Sequence, residues 1–326
     1  MEKVKLEINC WQFTPGYVIV HEDWMMLLEY LSILLPIFFI FSVGFIGQKM
    51  LHIDIKSVSA VSVYLMTPLL SFSVFYETTF TIDYLYMTLY ALTLVLSIVA
   101  IVYIIGFFRG YSVRKTCGMI LSSAFMNNGN YGTPLVLFVF GEPGLHYAVI
   151  LMVIQQLIMV TIGVYYAAKG SVDDGNGKDT LKKVLKVPVM YGAILGAVLH
   201  SLHLPIGATM LEAIKLVGNA AIPTVMLVLG IQLANVRLKN ISYRPLSVSL
   251  LLKLIVSPVI AWLLTLVLPV DEILKQIMIL LAGMPAAANT TLYAVQYGTE
   301  PDFVSSATFF STLASLITLP VILSLI

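Results

Sequence analysis

The sequence predicts an all-α polytopic membrane protein: about ten transmembrane helices in two inverted five-helix repeats. Composition, ten long apolar segments and a self-similarity between the halves predict it. Of 326 residues, 59% are hydrophobic and 11% charged, where a soluble protein carries about 25% charged. Mean hydropathy is +0.96. A chain this long still needs a water-facing skin, and so few charges cannot make one. The balance of 18 Lys and Arg against 17 Asp and Glu excludes a basic nucleic-acid binder and an acidic tail protein. Two cysteines, Cys10 and Cys117, are too few for a disulfide framework or a zinc site. No cofactor or metal is expected.

Residues 1–25 read as an N-terminal extension. They hold Lys3, Lys5, Trp11, Pro15, Gly16 and Trp24 but no apolar central region and no small-residue cleavage site, which argues against a secretory signal. Translation from Met25 or Met26 after a non-native extension accounts for them, and so does a short amphipathic lead-in. A membrane helix needs about 20 mostly apolar residues. Segments 26–47, 57–76, 84–106, 114–140, 146–168, 188–202, 211–234, 246–268, 275–297 and 303–326 qualify. Runs such as 90–108 do not alternate, so helices are expected rather than a β-barrel.

Positive charge sets the orientation. Thirteen of the 18 basic residues fall in connections 47–57, 107–116, 169–187 and 235–245. Connections 77–83, 141–145, 203–210, 269–275 and 298–302, assigned to the opposite side, hold Lys275 alone. The first set is therefore expected in the cytoplasm, with both termini outside a plasma (inner) membrane.

The halves can be laid over each other. Met119-Ile120-Leu121 falls on Met278-Ile279-Leu280, and Asn130 on Asn289, at one common separation; Glu142-Pro143 follows on Glu300-Pro301. Residues 26–168 form the first repeat, 169–187 a cytoplasmic loop, and 188–326 the second repeat. Five is odd, so the halves enter the membrane in opposite directions, as in secondary transporters.

The fourth segment contains Asn127-Asn128-Gly129-Asn130-Tyr131-Gly132-Thr133-Pro134, and its counterpart carries Pro285 before Asn289 and Thr290. Gly costs about 1 kcal/mol and Pro about 3 in a helix interior, so both helices are expected to break there. Broken backbone within a membrane is tolerated where it is buried in protein or lines a wet cavity, and half-helix N-termini suit a carboxylate. Asparagine supplies donors and an acceptor without formal charge. These asparagines cap the half-helices, contact substrate, or do both; which of Asn127 and Asn130 faces a cavity stays open.

These motifs, "NNGNYGTPL" (127–135), "MPAAANTTLYAVQYG" (284–298) and "SSATFFSTLASLITLPVIL" (305–323), resemble the auxin efflux carrier family of permeases, in its prokaryotic malonate- and malate-transporter-like branch. The resemblance covers about residues 26–326. It implies the crossed-helix fold of bile-acid-type sodium symporters and sodium/proton antiporters, with helices 4 and 9 broken and crossing at the substrate site. Asn127 to Gly132, Pro134, Pro285, Asn289 and Thr290 would lie at the crossing. Thr67-Pro68 and Ile222-Pro223 would lie on proline-bearing scaffold helices. Loop 169–187 is short, so plant-type regulatory sites have no counterpart.

No Asp or Glu falls in either crossing motif, which argues against a sodium/proton antiporter and against tight sodium coupling. Lys253 lies about two turns inside its segment and reads as snorkelling to the inner interface, with attraction of anions into the inner vestibule as the alternative. Of the adjacent Gln155 and Gln156, at least one should face the crossing, since two amides in lipid are expensive. No paired aspartates, nucleophile with its base or H-E-x-x-H occurs in the spans, and no P-loop motif occurs in the chain, so neither an enzyme nor an ATP-driven pump is expected. The leading expectation is a secondary transporter of a small organic anion, a mono- or dicarboxylate. A sodium- or proton-coupled symporter of another solute and a channel are the alternatives. The coupling ion and a homodimer are left open.

Overall fold

A computed structural model of the chain describes residues 15–79, 81–171, 187–236 and 242–326, and of residues 15–31 the backbone alone. The described residues form helices and no strand: α1 Pro15–Leu51, α2 Ile55–Glu77, α3 Asp83–Arg109, α4 Val113–Ser123, α5 Asn128–Lys169, α6 Pro188–Ser201, α7 Ala208–Ala234, α8 Tyr243–Thr265, α9 Glu272–Ala282, α10 Ala288–Tyr297 and α11 Pro301–Leu325. Seven are long and apolar enough to cross a membrane: α1 from Ser32, α2, α3, α5, α7, α8 and α11. Most of loop 169–187, with Lys178, Lys182, Lys183 and Lys186, lies outside the described residues, as do Arg237 and Lys239.

Local chemistry sets the helix ends. Ser112 accepts from the Lys115 N–H to start α4, and Asp54 accepts from Lys56 and Ser57 to start α2. Gly110, at φ 61°, closes α3 in the left-handed conformation that glycine adopts at little cost. Three helices contain a π turn immediately before a hydroxyl–proline pair: Val61–Met66 before Thr67-Pro68, Asn128–Gly132 before Thr133-Pro134, and Leu252–Val256 before Ser257-Pro258. Proline removes a backbone donor and crowds the preceding turn. A widened turn ahead of it relieves that conflict without ending the helix.

Two backbone-close seams join α1, α2, α6 and α7. A Cβ on Gly192 or Gly196 of α6 would run into the Pro68 and Phe72 carbonyls of α2. A Cβ on Gly230 of α7 would meet the Phe41 carbonyl of α1, and one on Gly44 would meet that of Leu227. Small residues at such places let helices approach within a membrane.

The α10–α11 connection corrects the expectation for residues 298–302. The Arg114 guanidinium donates to the Gly298 carbonyl at 2.6 Å, Lys115 pairs with Glu300 at 3.0 Å, and Thr299 Oγ1 donates to the Ala167 carbonyl. This connection therefore lies with 107–116 and the end of α5, not opposite them. Residues 298–302 contain no Lys or Arg, but alternation of the ten expected crossings already puts them on this side.

Candidate functional site at the paired helix breaks

Both predicted breaks exist, and they touch. Helix stops at Ser123 and resumes at Asn128; it stops again at Ala282 and resumes at Ala288. Met126 and Ala286 form an isolated antiparallel bridge between the two gaps. The Asn127 N–H donates to the Pro285 carbonyl at 2.9 Å, and the Ala287 N–H donates to the Phe125 carbonyl at 3.1 Å. Each break thus satisfies part of the backbone the other has freed, which buried polar groups require.

The first break lies a few residues earlier than its prolines and glycines suggest. Pro134 does not interrupt the chain; it sits in the first turn of regular helix after the π turn, where a missing N–H is cheap. Pro285 does lie in its gap. Gly132 is required by close approach, since a Cβ there would meet the Leu281 side chain at 2.6 Å.

A cavity of about 520 Å³ reaches the breaks. Asn130 and Asn289, from the first turns of α5 and α10, both line it, together with Gly129, Thr133, Pro134, Gln156 and Thr67. Leu70, Val160, Val164, Ile222, Val225 and Val228 form apolar walls. Tyr64 lines it too, as do Lys56, Val187 and Gln232 at the ends of α2, α6 and α7 that adjoin the basic connections. Among the described lining residues Lys56 is the one Lys or Arg, and there is no Asp or Glu. Helix N-termini carry about half a positive charge, and Asn130 and Asn289 stand in the first turns of two of them.

The other predicted residues support rather than line this space. Asn127 is buried, with no partner for its Nδ2. Asn128, also buried, donates from Nδ2 to Gln155 Oε1 at 2.7 Å. Thus Gln155 holds the first break while Gln156 faces the cavity. Tyr131 is fully buried, edge-on to Phe38 and Phe41 of α1, and its hydroxyl accepts from Ser315 at 3.2 Å. Thr290 Oγ1 donates to the Ala287 carbonyl. Pro68 belongs to the seam with α6, and Pro223 is exposed while its neighbour Ile222 lines the cavity.

Lys253 is the main correction. It does not reach an interface: it is 0% exposed, and its Nζ donates to the Ala282 carbonyl at 3.1 Å. Ser257 Oγ donates to the same carbonyl at 2.9 Å. Ala282 is the last residue of α9, the negative end of that helix, so Lys253 and Ser257 cap the second break. Sequence reasoning also missed Lys56 on the cavity and Ser311, whose Oγ accepts from the Ala286 N–H. The Ser- and Thr-rich run of α11 was the available signal for the latter.

A family model described as "Membrane transport protein" matches residues 30–173 and 176–323. An uncharacterised transporter of Methanothermobacter thermautotrophicus is 29% identical over 214 residues, covering 65% of this chain and 68% of the relative. An uncharacterised transporter of Methanocaldococcus jannaschii is 26% identical over 207 residues, covering 63% of this chain and 66% of the relative. The match extends over both halves and both breaks, and this chain belongs to that membrane transport protein family, the auxin efflux carrier family its motifs resemble.

Proposed function

We propose that the chain is a secondary transporter of a small organic anion, working by alternating access at the paired breaks. The observation that carries this reading is the meeting of Asn130 and Asn289, each in the first turn of a half-helix, at one cavity whose described lining residues include a lysine and no carboxylate. A carboxylate between them accepts from side-chain amides and from helix N-terminal N–H groups. Apolar walls and one lysine among the described lining residues favour one carboxylate on an apolar body over a dicarboxylate.

In this reading α4 with the first arm of α5 is one crossing, α5 beyond Gly141 the next, and α9 with α10 another, giving ten crossings in two inverted repeats. Gly141 and Gly298 support the pairing of halves: both follow a post-break helix and both have positive φ, 67° and 70°. The glycine-seamed α1, α2, α6 and α7 form the scaffold, and the broken helices move against it. The cavity then opens to the cytoplasm, and both termini lie outside. Cysteines at Ser171 and Glu142 should label from opposite sides of the membrane, Glu142 from intact cells; the reverse pattern overturns the orientation.

Thermal unfolding of the purified protein with a panel of carboxylates tests the substrate class, since a ligand bound only by the folded state stabilises by about 2.7 kcal/mol at a hundred times its dissociation constant. Monocarboxylates with apolar bodies should raise the melting temperature, and their primary amides should not. Equal stabilisation by acid and amide, or by no acid at all, breaks the anion assignment.

A further inference from the structure

A second cavity, of about 390 Å³, lies on the other flank of α10, between α10 and α11 on one side and α2 and α7 on the other. Ala288, Thr291 and Val295 line it, Asn289, Tyr293 and Gln296 line the larger one, and Leu292 lines both. Its polar end holds Lys56 from the first turn of α2, Asn235 just past α7, and Asp302 from the first turn of α11. From Asn235 back to Leu229, and from Asp302 on to Thr308, the lining runs six residues along each helix. At 1.5 Å per residue that is a depth of roughly 9 Å. Leu229, Leu233, Leu292 and Val295 are apolar walls, and Leu292 and Val295 are 59% and 63% exposed. In a membrane protein such walls meet lipid chains, and the size lies in the range of about 300–1,000 Å³ common to ligand sites.

Several of its polar side chains are already engaged. Asn235 accepts from Gln48 and donates to the Ile231 carbonyl, Thr291 bonds Thr308, and Ser305 donates to the Asp302 carbonyl. The two charges are not. Among the described residues neither Lys56 nor Asp302 forms an ion pair, with each other or with any other side chain. Asp54, two residues before Lys56, is occupied in capping α2, its carboxylate accepting from the Lys56 and Ser57 N–H groups and the Ser57 hydroxyl. The cavity thus presents a cation and an anion, apart from one another, above apolar walls. A ligand that completes it brings an anionic group, a cationic donor and an apolar body.

We propose that this cavity binds an aminophospholipid of the phosphatidylethanolamine type, drawn from the membrane leaflet beside the basic connections. Its phosphate meets Lys56, its primary ammonium meets Asp302, and one acyl chain lies along Leu229, Leu292 and Val295. A primary ammonium carries three N–H donors for a carboxylate, and such charge-assisted bonds are the strong ones. A trimethylammonium head has no N–H to give, and a glycerol head brings no cation to Asp302. The site does not rest on the anion-transport reading, but it bears on it. Lys56, Ser59 and Gln232 line both cavities, so a phosphate held here competes with the anion for the same lysine.

The test is thermal unfolding of the purified full chain in detergent, titrated with dioctanoyl phosphatidylethanolamine, phosphatidylcholine or phosphatidylglycerol, without organic anion. Phosphatidylethanolamine should raise the melting temperature at the lowest concentration. Asp302→Asn, which leaves the larger cavity untouched, should raise that concentration by up to about fivefold, the size of an exposed ion pair. Asp302→Lys should turn the preference towards phosphatidylglycerol. Free phosphoethanolamine, which has the head without the chains, should have little effect. Equal responses to the three lipids overturn the head-group assignment, and an ethanolamine preference that survives Asp302→Asn overturns the site. Phosphoethanolamine acting as well as the lipid would make the ligand a soluble zwitterion. Should the Asp302 variants not fold, Val295→Trp, which crowds the apolar wall, should weaken the response to every lipid, and an unchanged response overturns the site. Carboxylate stabilisation measured without lipid tests the anion reading by itself. It should shrink when phosphatidylethanolamine is present, and equality removes the competition.

Discussion

At the break between α9 and α10, Lys253 and Ser257 reach from α8 to one carbonyl, Ser311 reaches from α11 to one N–H, and the α9 terminus has a donor for each closing carbonyl. At the break between α4 and α5, Asn128 bonds Gln155 farther along α5, and Asn127 Nδ2, Asn128 Oδ1 and Thr133 Oγ1 are left without partners. One break is completed by side chains from neighbouring helices; the other keeps unspent polar atoms beside the cavity. In a low-dielectric interior, unsatisfied groups are costly and persist where a function uses them. The second break is thus tied to its neighbours through its backbone, while both breaks present an asparagine, Asn130 and Asn289, to the cavity.

Removing the caps of the second break should produce the largest effect. In Lys253→Met with Ser257→Ala the Ala282 carbonyl loses both donors, and a buried unsatisfied group costs about 1–3 kcal/mol beyond the bonds themselves. Either single change leaves one donor, and Met refills the lysine's space while removing the burden of a buried amine. The double variant should therefore exceed the sum of the singles by about 0.5–3 kcal/mol in a double-mutant cycle read by chemical unfolding. Additive losses would mean that the carbonyl does not depend on the pair.

Asn130→Ala and Asn289→Ala probe binding instead. Each removes an amide that faces the cavity, and a loss of about 1–3 kcal/mol weakens affinity about 5- to 150-fold. Uptake into vesicles should fall at unchanged membrane abundance, with Asn176→Ala in the 169–187 loop as the control. Normal transport by both variants would leave these asparagines as helix caps. Gly132→Ala comes next, because its methyl would press on Leu281 at the end of α9. Overpacking of that kind costs about 1–3 kcal/mol, and the loss should shrink in Gly132→Ala with Leu281→Ala.

Much of this was legible in the sequence. Helical class followed from long apolar runs, and the breaks from Gly, Pro and Asn where a membrane helix should be uniform. Asn130 and Asn289, which the self-similarity aligns, both line the cavity. What stayed hidden depends on contacts between distant residues. Lys253 looked like a snorkelling side chain because its partner, Ala282, is on another helix. Asn127 and Asn130 could not be told apart without knowing which side of the π turn faces inward. The side of residues 298–302 was not hidden: nine alternating crossings from an outside N-terminus already place them with 107–116, where Arg114, Lys115 and Ala167 hold them.

The smallest expected effect concerns Pro134, and it separates two accounts of the first break. If that proline made the break, Pro134→Ala would let helix grow back across Asn128 and close the gap. The break lies at 124–127 instead, where the chain pairs with 285–287 through the Asn127 and Ala287 N–H groups. Pro134 follows a π turn and occupies a helix-starting position, where proline's missing donor is tolerated. Its removal regains chain entropy in the unfolded state and gives up little in the folded one, a change of about 0.4–1 kcal/mol. Pro134→Ala should therefore transport at close to the wild-type rate with a slightly lower melting temperature. Transport abolished at normal abundance would show that the proline, rather than the bridge to the second break, holds the first one open.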